Sequence, residues 1–229
     1  MKAYYQDDYV TLYCGDCLEI MPQLDMKFDL CLTDPPYVQD SHGGGGAFGC
    51  RMRDYHKGVD SLGYGFENKV LSEAIKLLDK VHFYVFCSKN QLIQILLFFE
   101  KYNYDILAYH KTNPTPTCNN KYLPDTEYIV FVREKGVLLF GTYSTKKKYF
   151  IQENAKNDFN HPTVKPLNII GTLLGNSTKD DDIILDPFAG SGTTGRACKD
   201  LHRKCVLIEK EVKYCEIIVD RMSQEVFAF

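Results

Sequence analysis

Apolar and polar positions fall into short blocks along this chain, and the blocks alternate between a period of two and a helical period. Residues 10–16, "VTLYCGD", alternate and predict a strand, "CLEIMPQL" at 17–24 predicts a short helical turn, and "FDLCLTD" at 28–34 reads as a buried strand. Helical spacing returns in "ENKVLSEAIKLLDK" (67–80), then a buried strand in "VHFYVFCS" (81–88) and a second helix in "KNQLIQILLFFEKY" (89–102). "YDILAYH" (104–110) and "TEYIVFVRE" (126–134) predict two strands flanking the Pro- and Asn-rich "KTNPTPTCNNKYLPD". Further on, the pattern predicts a helix over 165–178, a strand over 182–186, a helix over 193–204, a strand over 205–209 and a helix over 211–224. Strands that alternate with helices imply an α/β fold: a doubly wound, largely parallel sheet with crossover helices.

Two stretches interrupt this pattern. Residues 38–66 contain "HGGGGAFG" and "GYG", too glycine-rich for a packed element, so a long loop and candidate lid is expected there. Residues 111–150 hold seven lysines and arginines against three acids, a net +4 on a chain of net −3. A basic segment on an acidic body fits a polyanion contact and a solvated face equally well. With 229 residues and 45% hydrophobic content, one core suffices, so residues 1–229 are expected to form a single domain carrying the 38–66 loop and a 111–150 insert. No run approaches the length of a membrane span and "MKAYYQDDYV" lacks the apolar centre of a signal peptide, which predicts a soluble, cytoplasmic protein. The nine cysteines are odd in number and come without a secretion signal, so reduced thiols are expected. "CGDC" lacks the second pair or the spaced histidines of a zinc site, so no metal is expected.

Candidate chemistry sits at two strand ends. "TDPPY" at 33–37 leaves the strand through two prolines, which donate no backbone hydrogen bond and fix their own φ, so Asp34, the bare carbonyls of Pro35 and Pro36 and the ring of Tyr37 are held rigidly. Farther along, "ILDPFAGSGTTG" sets Gly190, Gly192 and Gly195 in G-x-G-x-x-G spacing between a predicted strand and a predicted helix, and Glu209 ends the following strand. Glycines allow a tight turn close to a ligand, a helix N-terminus favours its anionic end, and an acid at that distance can accept from ribose hydroxyls. These parts predict an adenosine-containing cofactor. Nicotinamide dinucleotides and S-adenosylmethionine both satisfy them.

"DPPY" at 34–37, "HPTVKP" at 161–166 and "DPFAGSGTT" at 186–194, in that order, resemble the DNA amino-methyltransferases of the β arrangement, in which the catalytic motif precedes the cofactor motif. "GDCLEIM", "VFCSKNQL", "KTNPTP", "DTEYIVFVREKG" and "EKEVKYCEI" extend the likeness over nearly the whole chain. The resemblance implies a Rossmann-like methyltransferase fold and transfer of a methyl group from S-adenosylmethionine to adenine N6 of a base flipped out of double-stranded DNA. It implies that Asp34 and the Pro35 carbonyl draw on the target amine, with Pro36 stiffening the motif and Tyr37 offering a stacking face. It places Asp186, Pro187, Phe188, Ala189, Gly190, Gly192, Thr193 and Thr194 in the turn under the methionine portion, Glu209 on the ribose, and Asp16 with Cys17 near the adenine ring. His161, Thr163 and Lys165 match the segment that closes over the methionine carboxylate, where Val164 departs from the glutamine usual in the family. Lys111, Asn113, Lys121, Lys146, Lys147 and Lys148 are the candidates for DNA contact, the lysines on phosphate. The family also allows a homodimer and a restriction endonuclease partner. The runner-up is N4-cytosine methylation. RNA or protein-glutamine methylation is disfavoured by motif order, a nicotinamide dehydrogenase leaves "DPPY" and "HPTVKP" unexplained, and a catalytically dead DNA-binding subunit has no chemical reason to keep Asp34 and Tyr37 together.

Overall fold

The computed structural model describes residues 1–37, 66–116, 120, 122–155 and 164–224. The strands are β1 (Tyr5–Gln6), β2 (Val10–Cys14), β3 (Leu30–Thr33), β4 (His82–Cys87), β5 (Asn103–Lys111), β6 (Thr126–Arg133), β7 (Tyr149–Gln152), β8 (Ile183–Asp186) and β9 (Lys204–Glu209). The helices are α1 (Cys17–Ile20), α2 (Asn68–Leu77), α3 (Lys89–Phe98), α4 (Leu167–Ser177), α5 (Thr193–Asp200) and α6 (Val212–Met222). The apolar runs of β3 and β4 are buried along their whole length, as strands covered on both faces must be.

Alternating side chains divide the core into two layers. Leu30, Leu32, Tyr84, Phe86 and Leu207 face Ile170, Leu173, Ala197 and Ile218 of α4, α5 and α6. Cys31, Phe83, Val85, Leu185 and Ile208 face Ile20, Leu71 and Ile95 of α1, α2 and α3. Each fully buried Leu, Ile or Phe contributes about 1.5–3 kcal/mol relative to exposure.

One sheet runs in the order β1-β2-β9-β8-β3-β4-β6-β5-β7. The pairs from β2 through β9, β8 and β3 to β4 are parallel. Strand β6 lies antiparallel between β4 and β5, and β7 runs parallel to β5. From β8 the chain continues outward to β9, and from β3 it continues the other way to β4. The crevice at the carboxyl ends of β8 and β3 is therefore the topological switch point, where open α/β sheets bind ligands.

The expected elements are present, with shifted ends and two additions. The helix expected over 193–204 stops at Asp200, because the chain turns through a left-handed His202 (φ 55°) into β9. The short edge strands β1 and β7 carry too few alternating residues to stand out in the sequence. Within the span 111–150, Lys111 ends β5, residues 126–133 form the interior strand β6 and Tyr149 begins β7. Among the described residues, no helix is long and apolar enough to cross a membrane.

Candidate active site

Strand direction gathers the candidate residues at one edge of the sheet. Asp16 follows β2, Glu209 ends β9, Asp186 ends β8, Asp34 follows β3 and Lys111 ends β5. Because β6 runs the other way, its first residues join the same edge: Tyr128 pairs with Cys87 at the end of β4, and Glu127 with Tyr109 near the end of β5.

The glycine turn is held from three sides. The Asp186 carboxylate accepts from the Phe188 amide at 3.1 Å and from the Thr194 hydroxyl at 2.6 Å, fastening both ends of the turn to β8. Burial pushes the Asp186 carboxyl up to about 7, against the pull of those hydrogen bonds. Gly190 and Gly192 are left-handed (φ 53° and 76°), and a Cβ on Gly192 would lie 3.0 Å from Ile218 Cγ1. A Cβ on Gly195 would meet Leu207 Cδ1 at 2.7 Å, so the third glycine lets α5 lie close on β9.

Glu209 accepts from the Gly190 amide with one oxygen and from the Glu211 amide with the other, each at 2.8 Å, while burial raises its carboxyl. Each oxygen keeps a lone pair for a further donor. From α6, the buried Arg221 donates to Ser191 O and Thr193 Oγ1, both at 3.1 Å. Burial lowers the Arg221 guanidinium to about 10. Asp16 caps α1 through the Leu18 amide at 2.9 Å and accepts from Lys210 at 3.1 Å; the amide and the lysine hold its carboxyl below the usual range. Burial pushes the neighbouring Cys17 thiol up to about 12, leaving it un-ionised at neutral pH. Pro187 and Ala189 are buried, whereas Phe188 is half-buried.

Beyond the switch point lies a chain of alternating charges. Lys165 donates to Asp34 Oδ2 at 2.5 Å and lies 3.4 Å from Glu127 Oε2. The other Glu127 oxygen is held by Lys111 at 2.6 Å, and the Tyr37 hydroxyl donates to Glu127 Oε2 at 3.2 Å. The Lys165 ammonium is 4.8 Å from the centre of the Tyr37 ring and 5.5 Å from that of Phe86. Asp34 Oδ1 and Thr33 Oγ1 are buried without a partner among the described residues. The Gln91 amide donates to the Pro36 carbonyl at 2.8 Å while its oxygen serves the cap of α3, pinning the proline turn. Pro35 is buried beneath it.

Burial pushes the Asp34 carboxyl up, the nearby Lys165 charge opposes this, and the Glu127 charge adds to it. Glu127 is drawn below the usual carboxylate range by Lys165 and Lys111, which outweigh its burial. Lys165 is raised by its two carboxylates in spite of burial. The Tyr37 phenol lies well above its ordinary value through burial and the charges of Asp34 and Glu127.

The motif residues at 34–37, the turn at 186–194, Asp16, Glu209 and Lys165 thus share one edge, with the Lys165 ammonium on Asp34. His161, Thr163, Lys121 and the stretch 38–65 lie outside the described residues. Lys111 is folded against Glu127, and Asn113 accepts from the Asn154 amide at 2.8 Å. Lys146, Lys147 and Lys148 are exposed on the connection between β6 and β7, with Lys148 paired to Asp105. Sequence reasoning did not single out Glu127, Gln91 or Arg221. Glu127 and Arg221 act across a distance in sequence that no local spacing encodes; Gln91 stands in a local Ser88-x-x-Gln91 capping pattern, and its bond to Pro36 is the long-range part.

A doubly wound sheet with a glycine turn at its switch point, an acid at the next strand end and a rigid Asp-Pro-Pro-Tyr corner across the crevice defines a Rossmann-like methyltransferase. Residues 28–220 match a family model described as DNA methylase, of the N6/N4 type. The chain is 27% identical to the type II methyltransferase M2.MboI of Moraxella bovis, over 95% of this chain and 89% of that protein. It is also 27% identical to the type II methyltransferase M2.DpnII of Streptococcus pneumoniae, over 98% of this chain and 93% of that one. The crystal structure of the M1.HpyAVI–SAM complex superposes with a TM-score of 0.72 at 26% identity, covering 94% of this chain and all of that one. The PvuII DNA methyltransferase, described as cytosine-N4-specific, superposes with a TM-score of 0.72 at 17% identity, over 99% of this chain and 91% of that chain, a likeness of fold. The chain belongs to the N6/N4 DNA methylase family. It is a DNA methyltransferase, and its cofactor is S-adenosylmethionine. The residues present fit that cofactor: the turn has no side chain at Gly190 and Gly192 to obstruct it, and the Glu209 oxygens have acceptor capacity in reserve.

Proposed function

We propose that the protein methylates adenine N6 of a base extruded from double-stranded DNA. The observation that carries this reading is the Asp34 carboxylate, whose buried Oδ1 has no donor among the described residues and which stands beside the Tyr37 ring, one strand away from the glycine turn. The exocyclic nitrogen of adenine is a poor nucleophile because its lone pair is delocalised into the ring. Acceptors aimed at its hydrogens draw it toward tetrahedral geometry and free that pair. Asp34 Oδ1 and the Pro35 carbonyl are those acceptors, preorganised by the two prolines and by the hydrogen bond from Gln91 to Pro36. Tyr37 supplies the face on which the flipped base stacks. Held by the turn at 186–194, S-adenosylmethionine supplies an electrophilic methyl group on a sulfonium sulfur. Glu209 would accept from its ribose hydroxyls, Asp16 and Cys17 would border its adenine, and Phe188 would lie against the cofactor. After transfer the nitrogen carries one proton too many, and ionised Asp34 is the base within reach.

Aspartate at the head of the motif favours adenine. The fold itself is common to both bases, since a cytosine-N4-specific enzyme superposes on it. By resemblance, Lys146 and Lys147 would meet DNA phosphates, and a homodimer and a restriction endonuclease partner complete the picture. The test is to incubate the protein with S-adenosylmethionine and unmethylated genomic DNA, digest the DNA to nucleosides and identify the product by mass spectrometry. N6-methyladenine is expected. N4-methylcytosine would move the function to cytosine, and no methylated base would overturn the reading.

A further inference from the structure

We infer that Lys165 and Glu127 are positioning residues for the Asp34 carboxylate: Lys165 binds Oδ2 so that Oδ1 stays open to the target amine, and Glu127 fixes Lys165 in that place. The inference rests on the amine-methylating role of Asp34 proposed above. It departs from the family-based expectation that Lys165 serves the methionine carboxylate.

The geometry is a chain of four alternating charges, Lys111, Glu127, Lys165 and Asp34, drawn from β5, β6, the segment before α4 and the end of β3. The Lys165 side chain is only 8% exposed, so its charge must be met inside the protein, and the two carboxylates within 2.5 and 3.4 Å meet it. Its ammonium reaches one oxygen of Asp34 and leaves the other without a donor among the described residues. A buried carboxylate oxygen with no donor is unfavourable in the free protein. An incoming amino hydrogen satisfies it, so binding energy falls on the interaction that activates the nitrogen. Tyr37 lies against the same ammonium and donates to the same glutamate, which ties the stacking ring to the chain of charges.

Ionised, Asp34 accepts more strongly from the amine and can take the proton that the methylated nitrogen must lose. The Asp34 carboxyl is faced by Lys165, by Glu127 and Tyr37, by Asp186 from β8 and by Cys87 from β4, and Lys165 is the cation among them. Removing Lys165 leaves burial and the other acids to keep the carboxyl protonated. Replacing Glu127 by Gln keeps an amide oxygen to hold the Lys165 ammonium but takes away a repulsion, so Asp34 ionises more readily. The two substitutions therefore act in opposite directions on one group, which a general loss of structure would not do.

The experiment follows the Asp34 carboxyl by 13C NMR in protein labelled at aspartate, with Asp34→Asn to assign its resonance. Lys165→Met is expected to move its titration to higher pH, Glu127→Gln to move it to lower pH, and Lys165→Arg to restore the wild-type curve. On DNA, Lys165→Met is expected to lower kcat by about 100-fold and shift the acid limb of the pH–rate profile upward, while calorimetry gives a wild-type Kd for S-adenosylmethionine. A Kd weakened by about tenfold or more with an unmoved Asp34 titration would return Lys165 to the cofactor and overturn the inference. Titrations that move as expected in a protein that methylates no DNA would sustain the coupling and overturn the methyltransferase reading of the site. DNA methylation with stationary titrations would overturn the coupling alone.

Discussion

Three carboxylates at the strand ends differ in what surrounds them, and their surroundings predict different losses. Asp34 keeps a buried oxygen without a donor among the described residues, so Asp34→Ala is expected to abolish methylation while calorimetric affinity for S-adenosylmethionine falls little; near-normal turnover would remove it from the chemistry. Glu209 is fixed by two backbone amides beside the glycine turn, so, in its proposed place on the ribose, Glu209→Ala is expected to weaken cofactor binding by roughly 1–3 kcal/mol, the loss of charged hydrogen bonds, with kcat at saturation much less affected. Asp186 is buried and protonates near 7 in the folded state, against 3.8 in an ordinary carboxyl. Its folded pKa is raised, so the native state binds the proton more tightly and this group's contribution to stability falls as pH rises from about 4 to about 7, then levels off. Urea denaturation of the wild type and of Asp186→Asn across that range should show the fall in the first and its loss in the second. The places of Asp34 and Glu209 at strand ends were legible in the sequence because each sits in or just after a local motif. Glu127 was not, since its place beside Asp34 is created by a pairing between strands.

At the scale of elements, the glycine turn joins β8 to α5, and its conformation is set by two left-handed residues. Gly192→Ala puts a Cβ against Ile218 at a positive φ, and is expected to destabilise the protein by about 1–2 kcal/mol from backbone strain. It should also weaken cofactor binding; an unchanged denaturation midpoint and Kd would show that the turn tolerates the side chain. The turn could be read from sequence because glycine spacing, the strand before it and the helix after it are all local signals. The direction of β6 could not. Its eight apolar-rich residues announce a strand, yet only the tertiary pairing with β4 and β5 turns its amino end toward the site. Edge strand β7 follows three lysines and has too little alternation to declare itself.

For the whole molecule, the proposed contact of the exposed Lys146 and Lys147 with DNA phosphates predicts an affinity that depends on salt. Replacing Lys146 and Lys147 together by alanine is expected to weaken binding evenly across sequences and to reduce the slope of log K against log salt by about 2, while Lys111→Ala, whose ammonium is held by Glu127, leaves the slope alone. Titrations at several salt concentrations distinguish the two. Strand β2 is parallel to β9, with Val10 opposite Cys205 and Cys14 opposite Glu209, so a strand completes its sheet with one 195 positions further along the chain. At about 5–20 residues per second, synthesis leaves β2 without that neighbour for on the order of 10–40 s. The proline corner and its strand emerge from the ribosome long before the turn that is to face them. Methyl-donor binding therefore waits for β8 and β9, and until they emerge the crevice has one wall.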